Sequence, residues 1–134
     1  MKKFWMLLCI SLFFAGCKTA AFTSSAEKVE LKGNPTTGYT WICTVGDESI
    51  IEVEKDVTYL GKDGMVGAPS LFTYTVRSLK QGSTSLKFEY KRPWEDKEAQ
   101  ELRFYEVTVK ENGKISLTEA GQSPKNCVHW LQQE

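Results

Sequence analysis

The sequence has 134 residues, of which 41% are hydrophobic and 25% charged, and its basic and acidic side chains balance to a formal net charge of zero. This length is sufficient for one ordinary domain with a sizeable core. A balanced charge gives no electrostatic reason to expect nucleic acid as a partner, and no polybasic segment is present to attract anionic lipid.

The first residues predict export from the cell. A basic start precedes an almost unbroken apolar run over residues 4–14, and the small residues Ala15 and Gly16 follow, which is the pattern of a signal peptide over residues 1–16. The run is shorter than the roughly 20 apolar residues of a membrane span. Because Cys17 comes next, the site resembles a bacterial lipobox, with cleavage of a plain secretory signal as the alternative. We expect a bacterial cell-envelope lipoprotein, periplasmic or on the outer membrane or surface, that contacts membrane only through acyl chains on Cys17.

A small, polar segment over residues 17–27 predicts a flexible spacer, followed by a domain over residues 28–134. Apolar and polar side chains then alternate over residues 72–77 and 86–91, as in antiparallel strands with one wet face. Further strands are predicted at 29–31, 39–45, 50–53, 57–60, 102–110 and 115–117. No segment has a sustained helical stripe, so we expect an all-β antiparallel sandwich.

Two features refine this expectation. Over residues 102–110 the apolar side chains change face part-way along, which predicts a bulge or burial on both sides. Asn112 and Gly113 predict a tight type I′ hairpin, since both central residues of that turn need positive φ. Trp41 lies inside a strand and is expected to fill the core. The other aromatic residues expected to be buried or half-buried are Tyr39, Phe72, Tyr74, Phe88 and Tyr105.

Three segments between strands carry residues that a simple connector does not need. In the first, Asn34 can fold its side chain onto the backbone two residues on, Pro35 fixes φ, and Gly38 admits positive φ. Thr36 and Thr37 are therefore held at the tip in few conformations. Such a tip loses little entropy when it docks.

The second segment is a run of small and turn-prone residues over 64–71, and the third is Arg92, Pro93 and Trp94. The third ends a predicted strand and opens into a charged, solvated loop over residues 95–101. Exposed tryptophan and arginine are enriched at binding hot spots. All three segments are therefore candidate binding loops.

The three segments resemble, in order, the three binding loops of the chagasin family of cysteine-peptidase inhibitors. The similarity runs from about residue 28 to residue 110, and the second loop departs from the family by having Pro69 and Ser70 where Gly-Gly is frequent. The residues that carry the resemblance are Asn34, Pro35, Thr36, Thr37, Gly38 and Tyr39 with Trp41, then Gly67, Ala68, Pro69 and Ser70, then Arg92, Pro93 and Trp94.

The resemblance implies an immunoglobulin-like antiparallel β-sandwich whose loops form a wedge for the cleft of a papain-like cysteine peptidase. Thr36 and Thr37 would lie over the catalytic cysteine, Trp94 would pack on one wall of the cleft and residues 67–70 on the other. Arg92 would bind the peptidase or orient its own loop. The inhibition would be reversible, competitive and non-covalent, by a monomer without cofactor or metal.

The residues also leave other interpretations open. Residues 34–39 could form only a turn, and Trp94 could fold under a neighbouring sheet. A surface adhesin or protein-assembly module could use the same end of such a sandwich, because a fold alone does not fix function. An enzyme is not expected, since the single histidine, His129, allows no Ser-His-Asp or two-histidine metal motif and could pair only with Cys43 or Cys127.

The cysteines allow one disulfide. Cys9 leaves with the signal peptide and Cys17 would carry lipid, so Cys43 and Cys127 remain as a possible pair in an oxidising compartment, with two free thiols as the alternative. From about residue 117 the family resemblance stops, and we expect a C-terminal extension that docks on the sandwich and that such a bond would fasten.

Overall fold

The computed structural model describes residues 21–123, so the predicted signal peptide, Cys17 and Cys127 lie outside the described residues. Between those bounds no helix is long and apolar enough to cross a membrane. A single 3-10 turn covers Pro35–Thr37. The strands are β1 (Ala26–Gly33), β2 (Thr40–Val45), β3 (Ile51–Tyr59), β4 (Ser70–Ser78), β5 (Gly82–Lys91), β6 (Glu101–Val109) and β7 (Ile115–Ser123).

The strands form two antiparallel sheets. One sheet has the order β1-β4-β3, and the other has the order β2-β5-β6-β7. Their inner faces contribute to one hydrophobic core, which is the sheet-on-sheet arrangement of a sandwich. The predicted immunoglobulin-like sandwich is confirmed.

The period-two pattern explains which side chains form the core. In β4 the alternate residues Phe72, Tyr74 and Val76 are buried, and the residues between them face outward. Trp41 is only 1% exposed, and its indole N–H donates a hydrogen bond to the carbonyl of Lys32 at 3.0 Å. Its prediction as the large core residue is confirmed, and its one polar atom is satisfied, as burial of an indole requires.

The irregularity predicted over residues 102–110 lies in the pairing of β6 with β7. Phe104 pairs with Gly121, but the next residue, Tyr105, pairs with Glu119. The extra residue of the bulge is therefore Ala120, which belongs to β7 rather than to β6.

Strand β6 itself keeps its alternation and is covered on both faces. Leu102 and Phe104 are half-buried on one face, and Val107 and Val109 are buried on the other.

The hairpin between β6 and β7 is present, but the predicted two-residue turn is wrong. The N–H of Gly113 donates to the carbonyl of Lys110 at 2.9 Å, and the N–H of Lys110 donates to the carbonyl of Lys114 at 3.0 Å. The central residues of the turn are therefore Glu111 and Asn112. Gly113 follows them with a φ of 85°, which is the pattern of a three-residue connection with a left-handed last residue.

The domain begins earlier than the sequence indicated. Strand β1 begins at Ala26, and the N–H of Thr23 donates to the carbonyl of Asn112 at 3.1 Å. Residues 23–27, assigned to the spacer, therefore bind the sandwich. Residues 117–123, assigned to an extension, continue β7, and the separate strands predicted at 50–53 and 57–60 form one strand, β3.

Candidate functional site

The strand pairing brings the three candidate loops to one end of the sandwich. Gly33 lies opposite Ser70, which places the end of β1 beside the start of β4, and Thr40 lies opposite Lys91, which places the start of β2 beside the end of β5. The loops between these strand ends are neighbours. They are named loop 1 (residues 34–39), loop 2 (residues 60–69) and loop 3 (residues 92–100).

Loop 1 is a single 3-10 turn closed by Asn34. The side-chain oxygen of Asn34 accepts the N–H of Thr36 at 3.1 Å, as the sequence predicted, and its carbonyl accepts the hydroxyl of Thr37 at 2.6 Å. Gly38 ends the turn with a φ of 84°, in the region that glycine adopts without strain. Pro35, Thr36 and Thr37 are exposed on this turn.

Asn34 also joins loop 1 to its neighbours. Its side-chain amide donates to the carbonyl of Gly67 in loop 2 at 3.1 Å, and its backbone N–H donates to the hydroxyl oxygen of Tyr90 in β5 at 2.9 Å. The ring of Tyr90 packs against Tyr39, with centroids 5.3 Å apart. One asparagine thus positions the tip, loop 2 and the end of β5 relative to one another.

Arg92 joins loop 3 to loop 1. Its Nε donates to the carbonyl of Thr37 at 3.0 Å, and its guanidinium lies 4.6 Å from the ring centroid of Tyr39. A hydrogen bond and ion pair of 2.8 Å to Glu95 raises the pKa of Arg92 and, together with Lys97, lowers the pKa of Glu95. Through Nε and Nη1, Arg92 is bonded to loop 1 and to its own loop, and these bonds position the two loops relative to each other.

Trp94 stands at the loop end with 70% of its surface exposed, so the alternative in which it folds under a sheet is wrong. Its indole covers loop 1 closely, because a Cβ built on Gly38 would lie 2.5 Å from a ring carbon. Gly38 is therefore needed for two reasons, its left-handed φ and this contact. Pro93, before the indole, is exposed as well.

Loop 2 presents different residues from those singled out in the sequence. Ala68 is 5% exposed and Ser70 is 2% exposed, so their side chains are closed to a partner. Gly67 and Pro69 are exposed, and of these only Pro69 has a side chain to offer.

The exposed side chains of loop 2 that the sequence analysis missed are Met65 and Val66, which are 56% and 95% exposed. They lie inside the stretch described as small and turn-prone. The sequence did carry an indication of these residues. Two adjacent apolar residues lie between Gly64 and Gly67, outside any stretch in which apolar and polar residues alternate.

Cys43 lies in β2 rather than in a loop. Burial raises the pKa of its thiol to about 11, partly opposed by the charge of Lys55, so the thiol is protonated near neutral pH and is a weak nucleophile. Its pairing with Cys127 stays a prediction, since that residue is outside the described range. Among residues 21–123, no group of three His, Cys, Asp or Glu residues could hold a metal ion.

Comparison with known proteins establishes which family this chain belongs to. Residues 24–109, which contain all three loops, match the family described as chagasin family peptidase inhibitor I42. This protein belongs to the chagasin family. It therefore groups with peptidase inhibitors and not with enzymes.

A sequence match and a structure match of this chagasin-family chain both come from Entamoeba histolytica. Amoebiasin-2 is 36% identical over 93 residues, which are 62% of this chain and 69% of that protein. The crystal structure of the cysteine protease inhibitor EhICP2 is similar with a TM-score of 0.57 at 32% identity, over 63% of this chain and 78% of that one.

Proposed function

We propose that this protein is a reversible, non-covalent, competitive inhibitor of papain-like cysteine peptidases and that its three loops enter the active-site cleft together. The proposal depends on one observation: the exposed tip of Thr36 and Thr37 stands beside Trp94 and loop 2 at the same end of the sandwich. It is supported by membership of a peptidase-inhibitor family and by similarity to EhICP2, which is described as a cysteine protease inhibitor.

The tip suits a narrow cleft. Thr36 and Thr37 have short side chains, and both hydroxyls are already bonded to Asn34. The peptide bonds at the tip belong to a closed 3-10 turn rather than to an extended segment. The tip therefore occupies the site without offering an extended backbone to attack, and no covalent step is needed.

Preorganisation supplies much of the expected affinity. Contacts from Asn34 to Gly67 and from Arg92 to Thr37 hold the loops in one arrangement before any partner arrives. Each side chain that is already fixed spares about 0.5–1.5 kcal/mol of ordering cost on binding. Trp94 adds an exposed aromatic surface of the kind that dominates binding energy.

The test is a titration of the mature protein against papain, with progress curves to obtain the inhibition constant, Ki, and its dependence on substrate concentration. We expect competitive inhibition, full recovery of activity on dilution, and no covalent adduct by mass spectrometry. Replacing Thr37 by Glu should raise Ki by at least about 30-fold, because a long side chain at the slim tip would clash with the cleft and bring an unpaired charge into it.

Leu79→Glu is the matched control, since Leu79 is also exposed but lies at the opposite end of the sandwich, and its Ki should equal that of the unmodified protein. Thermal unfolding of both variants checks that they are folded. Unchanged inhibition by the Thr37 variant would refute the wedge. If the unmodified protein inhibits no papain-like peptidase, the function is wrong and a role as adhesin or assembly module gains support.

We further propose that the protein acts as a monomer. On the basis of the sequence around residues 13–17, we also propose that it is anchored to the bacterial envelope by lipid on Cys17. Intact mass of the mature protein should show cleavage before Cys17 and added acyl mass, and Cys17→Ser should remove both. The corresponding localisation measurement uses residues 18–134 behind a cleavable secretory signal that has no lipobox, and this unacylated chain should leave the membrane fraction. Membrane retention of that chain would exclude the lipid anchor.

A further inference from the structure

Exposed apolar surface is concentrated on the loop 2 side of the loop end. Within residues 21–123, only three of the large hydrophobic side chains found exposed, Phe22, Leu79 and Trp94, lie elsewhere. Single exposed apolar residues are ordinary on protein surfaces, but clusters of them mark interaction sites. The clustered residues lie at the end of β3 and in loop 2 and are Val57, Tyr59, Leu60, Met65 and Val66.

Met65 and Val66 stand at the tip of this surface, and their backbone is fixed. The hydroxyl of Tyr59 donates to the carbonyl of Met65, and the carbonyl of Gly67, on the other side of Val66, accepts the side chain of Asn34. The N–H of Met65 donates to the carbonyl of Lys62 at 3.0 Å. The loop thus holds an almost fully exposed valine in one place, and its contact surface is ready before binding.

The position of this apolar tip is tied to the threonine tip of loop 1. The same Asn34 that closes loop 1 holds Gly67, so a partner that receives Thr36 and Thr37 also meets Val66. Transferring Met and Val side chains into an apolar pocket is favourable. Placing them against a charged pocket would desolvate that charge without compensation.

We propose that Met65 and Val66 determine selectivity: they favour cysteine peptidases whose cleft has a large apolar pocket on the loop 2 side of the catalytic cysteine. This inference rests on the proposed function, because it assigns the occupant of one side of the same cleft. In this proposal, the side chains of loop 2 that meet the peptidase are Met65 and Val66 rather than Ala68 and Ser70.

The experiment measures Ki against a panel of papain-like peptidases that substrate-library profiling has sorted by preference for a large apolar or a charged side chain in the pocket beside the catalytic cysteine. The variants are Val66→Asp and Met65→Asp, with Leu79→Asp as the control at the opposite end and Thr37→Glu as the reference for loss of the wedge. Because Val66 is 95% exposed, its replacement should leave thermal unfolding unchanged.

We expect Val66→Asp to raise Ki by about tenfold or more against peptidases that prefer apolar side chains. Against those that accept charged side chains the rise should be smaller, and Leu79→Asp should change neither value. If Thr37→Glu abolishes inhibition while both loop 2 variants act like the unmodified protein on every peptidase, the selectivity role is wrong and the proposed function stands. If the unmodified protein inhibits no member of the panel, both fail.

Discussion

The connections between strands differ between the two ends of this sandwich. At the loop end, the connections over residues 34–39, 60–69 and 92–100 hold exposed apolar and aromatic side chains on a braced backbone. At the opposite end, here called the turn end, short connections over residues 46–50 and 110–114 join one strand to the next.

At the turn end the chain satisfies its polar groups internally. The hydroxyl of Ser78, which is buried, donates to the carbonyl of Gly113 at 2.7 Å and accepts the N–H of Ser25 at 2.9 Å. The hydroxyl of Ser25 also donates to the carbonyl of Gly113, at 2.8 Å. Such a closed network contributes to stability, because each buried polar group has a partner.

The comparison separates two uses of rigidity. At the turn end, hydrogen bonds fasten the N-terminal segment and close the core. At the loop end, bonds from Asn34 and Arg92 fix a surface whose apolar side chains are exposed. Substitutions at the turn end should therefore change stability, whereas substitutions at the loop end should change binding.

The largest effect is expected for Gly113→Ala at the turn end. Gly113 has a φ of 85°, and a Cβ there would lie 2.1 Å from the carbonyl oxygen of Thr23. The variant should lose about 3 kcal/mol in the free energy of unfolding, measured with denaturant, from strain and from displaced hydrogen bonds. Ki of the folded fraction should not change.

Gly64→Ala is the control for strain alone, since Gly64 has a φ of 83° and no heavy atom within 4 Å of an added Cβ. It should cost about 1 kcal/mol of unfolding free energy. Equal losses for Gly64→Ala and Gly113→Ala would mean that contact with Thr23 contributes nothing, and a changed Ki for Gly113→Ala would contradict the separation of the two ends.

Gly38→Ala is the loop-end counterpart and should have the next largest effect. Its φ of 84° matches that of Gly113, but its added Cβ would displace the indole of Trp94. We expect Ki to rise about 30-fold, equivalent to about 2 kcal/mol, with a smaller loss of stability. In a double-mutant cycle, Trp94→Ala should add little to Gly38→Ala, because both disturb one contact. Fully additive effects would show that the two residues act separately.

Arg92→Lys tests whether orientation of the loops needs more than positive charge. Lysine keeps the charge but lacks Nε and the planar group that lies on Tyr39. We expect Ki to rise about tenfold, with Lys91→Arg as the matched control that changes a neighbouring cation. A lysine variant as potent as the original would assign Arg92 a purely electrostatic role.

Modification of Cys43 should have the smallest effect on function, since this residue lies in β2 between the two ends. Because the pKa of its thiol is raised to about 11, a Cys127→Ser variant should react with iodoacetamide slowly at pH 8, and the rate should rise about tenfold per pH unit toward pH 10 as the thiolate fraction increases. The guanidinium-unfolded protein is the reference. Rapid reaction at pH 8 in the folded state would contradict the raised pKa.

The same reagent tests the disulfide in the unmodified chain. A bond between Cys43 and Cys127 would prevent labelling of both residues until reductant is added, even in the unfolded protein. Labelling without reductant would exclude the bond. In either case the inhibition constant should stay the same, because Cys43 is not part of the three loops.

Local sequence patterns predicted much of the fold because they reflect local physical rules. Alternation located the core of β4 and β5, and the change of face along residues 102–110 indicated burial on both sides of β6, whereas the bulge itself lies in its partner β7. The turn register at Asn112 was missed because an Asn-Gly pair fits both a two-residue and a three-residue connection. The tie between Thr23 and the turn was missed because small polar residues carry no periodic signal.

By itself, the sequence determined an all-β chain and the conformation of loop 1, since the bonds of Asn34 and the φ of Gly38 are local. Only the tertiary structure decided which side chains of loop 2 are open, because burial of Ala68 and Ser70 and exposure of Val66 depend on strands distant in sequence. The same is true of Arg92, whose partners Thr37 and Tyr39 come from another loop. Long-range pairing sets such contacts, and no local pattern encodes it.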